Sequence, residues 1–231
     1  MRILAFDTST GACTVALGDR TRWNERSEHA DSRHSELLLP MIRSLLSEAG
    51  IALSQLDGIA FGSGPGSFTG LRIGCGVAQG LALAADLPVV GVSSLEAIAQ
   101  AVHTTHGSTR VVTALDARMQ EVYFAAFELE GDRWRARIEP CVLPPREVPM
   151  PDGRWTGAGN GFAVYPPLRE HLASILTSCD DGALPTAVAI GTLALPRFDT
   201  DEAVAARDAA PLYVRHRVAL TAAERAAGEK L

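Results

Sequence analysis

Two aspartates close similar apolar runs. Arg2-Ile3-Leu4-Ala5-Phe6 ends in Asp7, with Thr8, Ser9 and Thr10 behind it, and Arg110-Val111-Val112-Thr113-Ala114-Leu115 ends in Asp116. Two matching Asp turns facing each other across a cleft are how a two-lobed phosphotransferase-type site would be built. A third stretch, Gly62 to Gly74 (GSGPGSFTGLRIG), reads as a glycine-rich strand-to-helix turn. Such turns can point backbone N–H groups at an anion. The usual phosphate loops fit it poorly. A P-loop ends in Gly-Lys-Ser/Thr, and the single lysine of this chain is Lys230. Gly64 and Gly66 match the first two positions of a dinucleotide fingerprint, but Thr69 stands where the third Gly belongs. The loop therefore holds a phosphate, holds another protein, or closes a tight turn.

The histidines build no metal site. His103 and His106 are spaced i, i+3 with no carboxylate or Cys close in sequence, and read as a solvated helix end. His29 and His34 flank Asp31, and His34 reads as a residue that begins a helix; His171 and His216 are isolated. The four cysteines, Cys13, Cys75, Cys141 and Cys179, form no Cys-x-x-Cys and are expected as buried free thiols in a reducing compartment. A net charge of -6 argues against a protein that grips nucleic acid alone, so any link to RNA is expected through a partner. Asp7 interrupts what a signal peptide would need, and no apolar run of spanning length lacks Arg, Asp or Pro. The expectation is a cytoplasmic protein with no membrane contact.

The elements that must position these residues follow from the apolar pattern. With 231 residues, 47% of them hydrophobic, the chain can bury a real core as one large domain or two small ones. Arg2–Phe6, Cys13–Leu17 and Thr21–Ser27 read as three strands joined by short turns, an antiparallel meander. Ser35–Ala49 reads as a helix stopped by Gly50. Pro40 either kinks it or marks a later start near Leu39. Asp57–Phe61 is a strand, Leu71–Ala85 a helix, Pro88–Val92 a strand, and Ser93 or Ser94 caps a third helix. The Leu71–Ala85 helix is apolar nearly all round and carries Gly74, Gly76 and Gly80, which suggests a surface approached closely by another backbone, inside the chain or outside it.

The order then restarts. Arg110–Asp116, Glu121–Phe127 and Trp134–Glu139 repeat the opening meander, and we read an internal duplication. Beyond it, Pro140–Pro151 is expected to be extended and Trp155–Gly161 to be a glycine-rich turn. Tyr165–Leu176 and Thr186–Leu195 are expected helices, Pro211–Arg215 a closing segment, and Val218–Leu231 a fraying helix or disordered tail.

Five stretches together carry a resemblance: Asp7-Thr8-Ser9-Thr10, Arg33-His34-Ser35-Glu36-Leu37-Leu38-Leu39-Pro40, Gly64 to Gly74, Gly91-Val92-Ser93-Ser94-Leu95-Glu96-Ala97, and Asp116-Ala117-Arg118-Met119. They resemble the TsaB (YeaZ) family, the dimerisation subunit of the bacterial tRNA threonylcarbamoyladenosine-forming complex. Pro211–Arg215 resembles the family's closing segment. The resemblance implies an α/β fold of the duplicated actin/Hsp70/sugar-kinase-like (ASKHA) kind, two lobes each with a mixed sheet and flanking helices. We expect an N-terminal lobe over 1–104, a partly degenerate second lobe over 105–218 and a flexible tail over 219–231.

The resemblance also implies a pseudo-enzyme. The catalytic relative TsaD carries a His-Leu-Glu-x-His motif after the strand matching Pro88–Val92, and its two histidines bind a metal. Here those positions are Ser94 and Ile98, and Ile has no lone pair to offer. In working members of the fold, acidic residues at the strand ends hold the nucleotide's metal or its water. Asp7, Thr8, Ser9, Thr10 and Asp116 are therefore either structural turns or a residual nucleotide site. The expected role is a scaffold without catalysis or cofactor of its own. Leu37, Leu38, Met41 and Leu45 of the first helix, with Arg72, Ile73, Val77 and Leu81 of the second, would face the TsaD-type subunit, or a second copy of this chain when that subunit is absent. The sequence leaves open whether a TsaE-type ATPase subunit also docks; tRNA would be met only through the complex. The rivals are an autonomous ATP-dependent kinase or ATPase with Asp7 holding the metal, and a metallopeptidase.

Overall fold

A computed structural model of the chain describes residues 1–215. Strand β1 (Ile3–Asp7) is buried along its whole length because both of its faces are covered. Ile3 and Ala5 point into one core and Leu4 and Phe6 into another, which is why no polar alternation shows in its sequence. β1 pairs antiparallel with β2 (Ala12–Gly18), and β2 with β3 (Trp23–His29), the expected meander. β3 is the exposed edge, laced with charge, which blunts edge-to-edge association. On the other side β1 runs parallel to β4 (Gly58–Gly64), and β4 to β5 (Val89–Ser93).

The second sheet repeats this order. β6 (Arg110–Asp116) pairs antiparallel with β7 (Val122–Glu130) and β7 with β8 (Arg133–Leu143). β9 (Trp155–Ala158) lies parallel to β6 and β10 (Leu176–Asp180) parallel to β9. The two orders, β3-β2-β1-β4-β5 and β8-β7-β6-β9-β10, are the same topology twice, so the duplication read in the sequence is present. Asp7 and Asp116 end the equivalent strands β1 and β6.

Helices α1 (His34–Ala49) and α2 (Phe68–Ala85) cover the outer face of the first sheet. α3 (Ser94–His106) and α6 (Ala187–Ala194) lie between the sheets and share one core with both, through Val90, Leu95, Ile98, Val111, Phe127 and Ile190. α4 (Gly161–Val164) and α5 (Pro166–His171) cover the outer face of the second sheet. The result is a duplicated α/β fold, two lobes each with a mixed five-stranded sheet and flanking helices, as expected.

Several expectations need correction. Trp155–Gly161 is not only a turn: its first four residues form β9, a short buried strand of one tryptophan and three small residues with no apolar run to announce it. Tyr165–Leu176 is not one helix. Pro166 and Pro167 lack the N–H groups that would continue α4, so the chain breaks at Tyr165 and restarts with Pro at the head of α5. Pro40 sits inside α1, which starts at His34. β8 runs on to Leu143 and takes Pro140 into an edge strand, where a missing ladder donor is tolerated. The expected tail over 219–231 lies outside the described residues.

Candidate functional site

The glycine stretch is the end of β4 and the start of α2. Ser67 caps α2 by accepting from the Gly70 N–H at 3.3 Å. The Asp7 turn packs directly on it. Ser67 N donates to Ser9 O at 2.7 Å, and Thr8 Oγ1 donates to Gly70 O at 2.8 Å. A Cβ at Gly62 would collide with Asp7 Oδ2, and one at Gly70 with the Thr8 carbonyl oxygen. These glycines are needed for close approach of two backbones inside the chain.

Asp7 is only 1% exposed. Its Oδ1 accepts from the N–H and hydroxyl of Ser9, both at 2.9 Å, while Oδ2 has no hydrogen-bond partner among the described residues. Burial outweighs the Ser9 bonds and pushes its pKa up to about 7. The same burial, with Asp7 nearby, pushes the Cys13 thiol up to about 12. Cys13 and Cys75 are buried and Cys141 and Cys179 half-buried, all four as free thiols. Thr10 O meets His34 Nε2 at 2.9 Å, so His34 does begin α1 and ties it to this turn.

The second turn is arranged differently. Asp116 accepts from Tyr165 Oη (2.8 Å) and from the Arg118 N–H (2.8 Å), and pairs with the Arg118 guanidinium at 3.1 Å. Its own N–H donates to Asn160 Oδ1 at 3.0 Å. Burial, then the bond to Asp116, raises the Tyr165 pKa. A cleft of about 830 Å³ brings Ser9 and Thr10 together with Asp116; Asp7 and Thr8 lie behind its wall. Sequence reasoning missed Arg118, Tyr165 and Arg215 here. The Tyr213-Val214-Arg215 run in the closing segment was the available signal.

The expected pairing residues divide by helix. Leu38, Met41 and Leu45 of α1 belong to the core under the first sheet, so they offer no side chain to a partner, and this part of the expectation is corrected. Their spacing is that of the face a helix turns to its own sheet. Leu37, Ile73, Val77 and Leu81 are half-buried at the rims, and Arg72 is exposed. α2 is unusual: only six of its 18 residues are buried. Its outward stripe runs Thr69, Arg72, Gly76, Gly80, Leu83 and Ala84, with Leu83 78% exposed. Among the described residues, a Cβ at Gly76 or Gly80 would meet nothing within 4 Å. Arg72 lies over the Phe68 ring, 3.8 Å from its centre.

A sequence profile described as "TsaD: tRNA N6-adenosine threonylcarbamoyltransferase" matches residues 27–172. Over nearly the whole length, the tRNA threonylcarbamoyladenosine biosynthesis protein TsaB of Escherichia coli K12 is 40% identical, covering 95% of this chain and 96% of that protein. The TsaB of Haemophilus influenzae is also 40% identical, over 94% of this chain and 95% of that protein. The chain belongs to the TsaB family. The solved structure of YeaZ from Pseudomonas aeruginosa superposes with a TM-score of 0.85 at 42% identity, over 92% of this chain and 99% of that one.

In this TsaB-family chain Ser94 and Ile98, the positions that the resemblance sets against the TsaD-type histidines, are both fully buried at the start of α3. The neighbouring Glu96 is held by Arg197 in a mostly buried ion pair. Among the described residues, no three His, Cys, Asp or Glu side chains gather as a metal site. His103 and His106 are spent in the last turn of α3, on Ser108 O at 3.1 Å and Asp180 at 3.4 Å. The donor set around Ser94 does not fit a metal ion, so no chemistry is routed through one.

Proposed function

We propose that this chain is a non-catalytic scaffold subunit. It pairs through the outer stripe of α2 with a TsaD-type catalytic subunit and activates it for threonylcarbamoyladenosine modification of tRNA, at the adenosine next to the anticodon. The observation that carries this reading is α2 itself: a long helix, apolar nearly all round, with two-thirds of its residues unburied and two outward glycines that no described residue approaches. A face of that kind is stabilised by covering it, at roughly 25 cal/mol per Å² before association costs. Gly76 and Gly80 let a facing helix approach to backbone distance. The family names of the full-length relatives support the tRNA pathway.

The lost chemistry supports the scaffold role. Asp7 is enclosed beneath Gly62, Asp116 is engaged by Arg118 and Tyr165, and Ser94 and Ile98 replace a ligand pair. The same stripe serves a second copy of this chain when the catalytic subunit is absent. A TsaE-type ATPase subunit joins the assembled pair, tRNA is met through the complex, and the work is done in the cytoplasm. The test is co-purification with the TsaD-type subunit, followed by a tRNA modification assay with and without this chain. Full modification by the catalytic subunit alone, or any modification by this chain alone, overturns the proposal.

A further inference from the structure

The middle of the cleft is filled by the chain itself. Leu212, Tyr213 and Val214 line both the 830 Å³ chamber and a second one of about 740 Å³ on the other side of them. The segment is fastened at both ends. On the first-sheet side, Ala209 O accepts from Gln79 Nε2 of α2 at 2.9 Å, and the Leu212 N–H donates to Ser63 O, near the end of β4, at 2.7 Å. Arg72 Nε donates to Tyr213 Oη at 3.2 Å. On the second-sheet side the Arg215 guanidinium pairs with Glu121 at 2.7 Å and donates to Ala117 O at 2.9 Å; its side chain is only 11% exposed. Those two residues bracket the β6–β7 hairpin, where Arg118, Met119 and Gln120 all have positive φ (60°, 55° and 62°). Three consecutive non-glycine residues in the left-handed region persist only where their surroundings over-determine them.

We propose that Ala209–Arg215 is a strap, an intramolecular occupant of the cleft that binds the β4–α2 glycine loop to the β6–β7 hairpin and fixes the spacing of the two walls. Arg215 is its clasp: one guanidinium satisfies a carboxylate and a carbonyl at the two ends of the strained hairpin. The strap acts within a single chain, so it stands or falls apart from the pairing proposal.

Hydrogen exchange read by mass spectrometry on the full chain tests it with Arg215→Gln, Arg215→Lys and Glu121→Gln. Opening of the clasp by Arg215→Gln or Glu121→Gln should speed exchange about tenfold in the hairpin at 117–121 and also across the cleft, in the strap and at 63–67, with α3 and α6 unchanged. Arg215→Lys keeps the charge but not the second hydrogen bond and should fall between wild type and Arg215→Gln. Acceleration confined to the hairpin overturns the strap, because the far wall would then be held independently. Acceleration that includes α3 and α6 equally also overturns it, because the segment would then be an ordinary part of the global fold.

Discussion

The glycines of α2 allow a prediction in which one substitution type has opposite signs along one helix. Gly→Ala at an exposed helix interior removes backbone freedom from the unfolded chain and stabilises by about 0.5–1 kcal/mol. At Gly76 and Gly80 the new methyl meets nothing within 4 Å among the described residues, which leave this gain unopposed. The double variant Gly76→Ala/Gly80→Ala should gain about 1–2 kcal/mol, which in a chain of this length raises Tm by roughly 2–8 °C. At Gly74 the methyl would lie 2.6 Å from Thr8 Oγ1, and at Gly70 it would strike the Thr8 carbonyl oxygen. Either single variant should therefore lose about 1–3 kcal/mol or more, since the Asp7 turn must move. Affinity responds the other way. Two methyls on a face that a partner approaches to backbone distance should weaken pairing with the TsaD-type subunit about 5- to 100-fold. Thermal melts at low protein concentration, where self-association contributes least, give the first quantity. Sedimentation with the partner gives the second. A double variant that melts below wild type would mean the outward glycines are used inside the chain. One that pairs with unchanged affinity would mean the stripe is not the pairing surface.

Asp7→Asn should become progressively more stable than wild type as pH rises. The unfolded carboxyl ionises near its ordinary 3.8 while the buried one keeps its proton to about 7, so wild-type stability falls across that window, by up to about 4 kcal/mol. Urea unfolding at pH 4, 6 and 8 reads this, and a gap that stays constant with pH would show that Asp7 is ionised in place. Calorimetry with Mg-ATP on the isolated chain should show no binding that Asp7→Ala removes; Asp7-dependent binding would favour an autonomous kinase or ATPase. Glu96→Gln leaves the Arg197 guanidinium mostly buried, facing, among the described carboxylates, the more distant Glu202 at 3.7 Å, and should cost about 3–5 kcal/mol by chemical unfolding. A loss under 1 kcal/mol would mean that Arg197 finds solvent. Val77→Asp, on the rim of the α2 stripe, should abolish pairing in sedimentation while leaving the far-UV circular dichroism unchanged, and normal pairing would refute the assignment of that rim.

The first half of the chain was legible because its elements announce themselves. β1 and β4 are continuous apolar runs covered on both faces, α1 ends at a glycine in the left-handed region, and β6 begins and ends where the sequence puts it. The second half was less so, for physical reasons. β9 is four small or aromatic residues whose burial comes from neighbours on both faces, and β10 is a polar edge strand, so neither shows a periodicity. The pairing face exposes a different limit. Helical spacing finds an apolar face but not what covers it, and in α1 that face belongs to the core, so a charge at Met41 would unfold the chain and test no interface. In α2, apolar on nearly every side, spacing carries no direction at all. The space around each glycine supplies it: Gly70 and Gly74 are closed by the Asp7 turn, and Gly76 and Gly80 open outward.

The two aspartates occupy equivalent strand ends and are engaged by different means. In the first unit the carboxylate is sealed in: Gly62 lets the two strands close until Asp7 is only 1% exposed, and the cost appears as an oxygen unpartnered among the described residues and a pKa raised by burial. In the second unit the carboxylate stays near the cleft and is paired instead, with Arg118 folded back over it and Tyr165 donating from α4's end. A phosphotransferase needs both groups presented to the same ligand with their charge available. Freeing one carboxylate would leave the other engaged, and the closing segment would still stand between the walls. On the scaffold reading proposed above, phosphotransfer in this cleft would require at least three coordinated changes, and the unburied stripe of α2 is the first place to test for function.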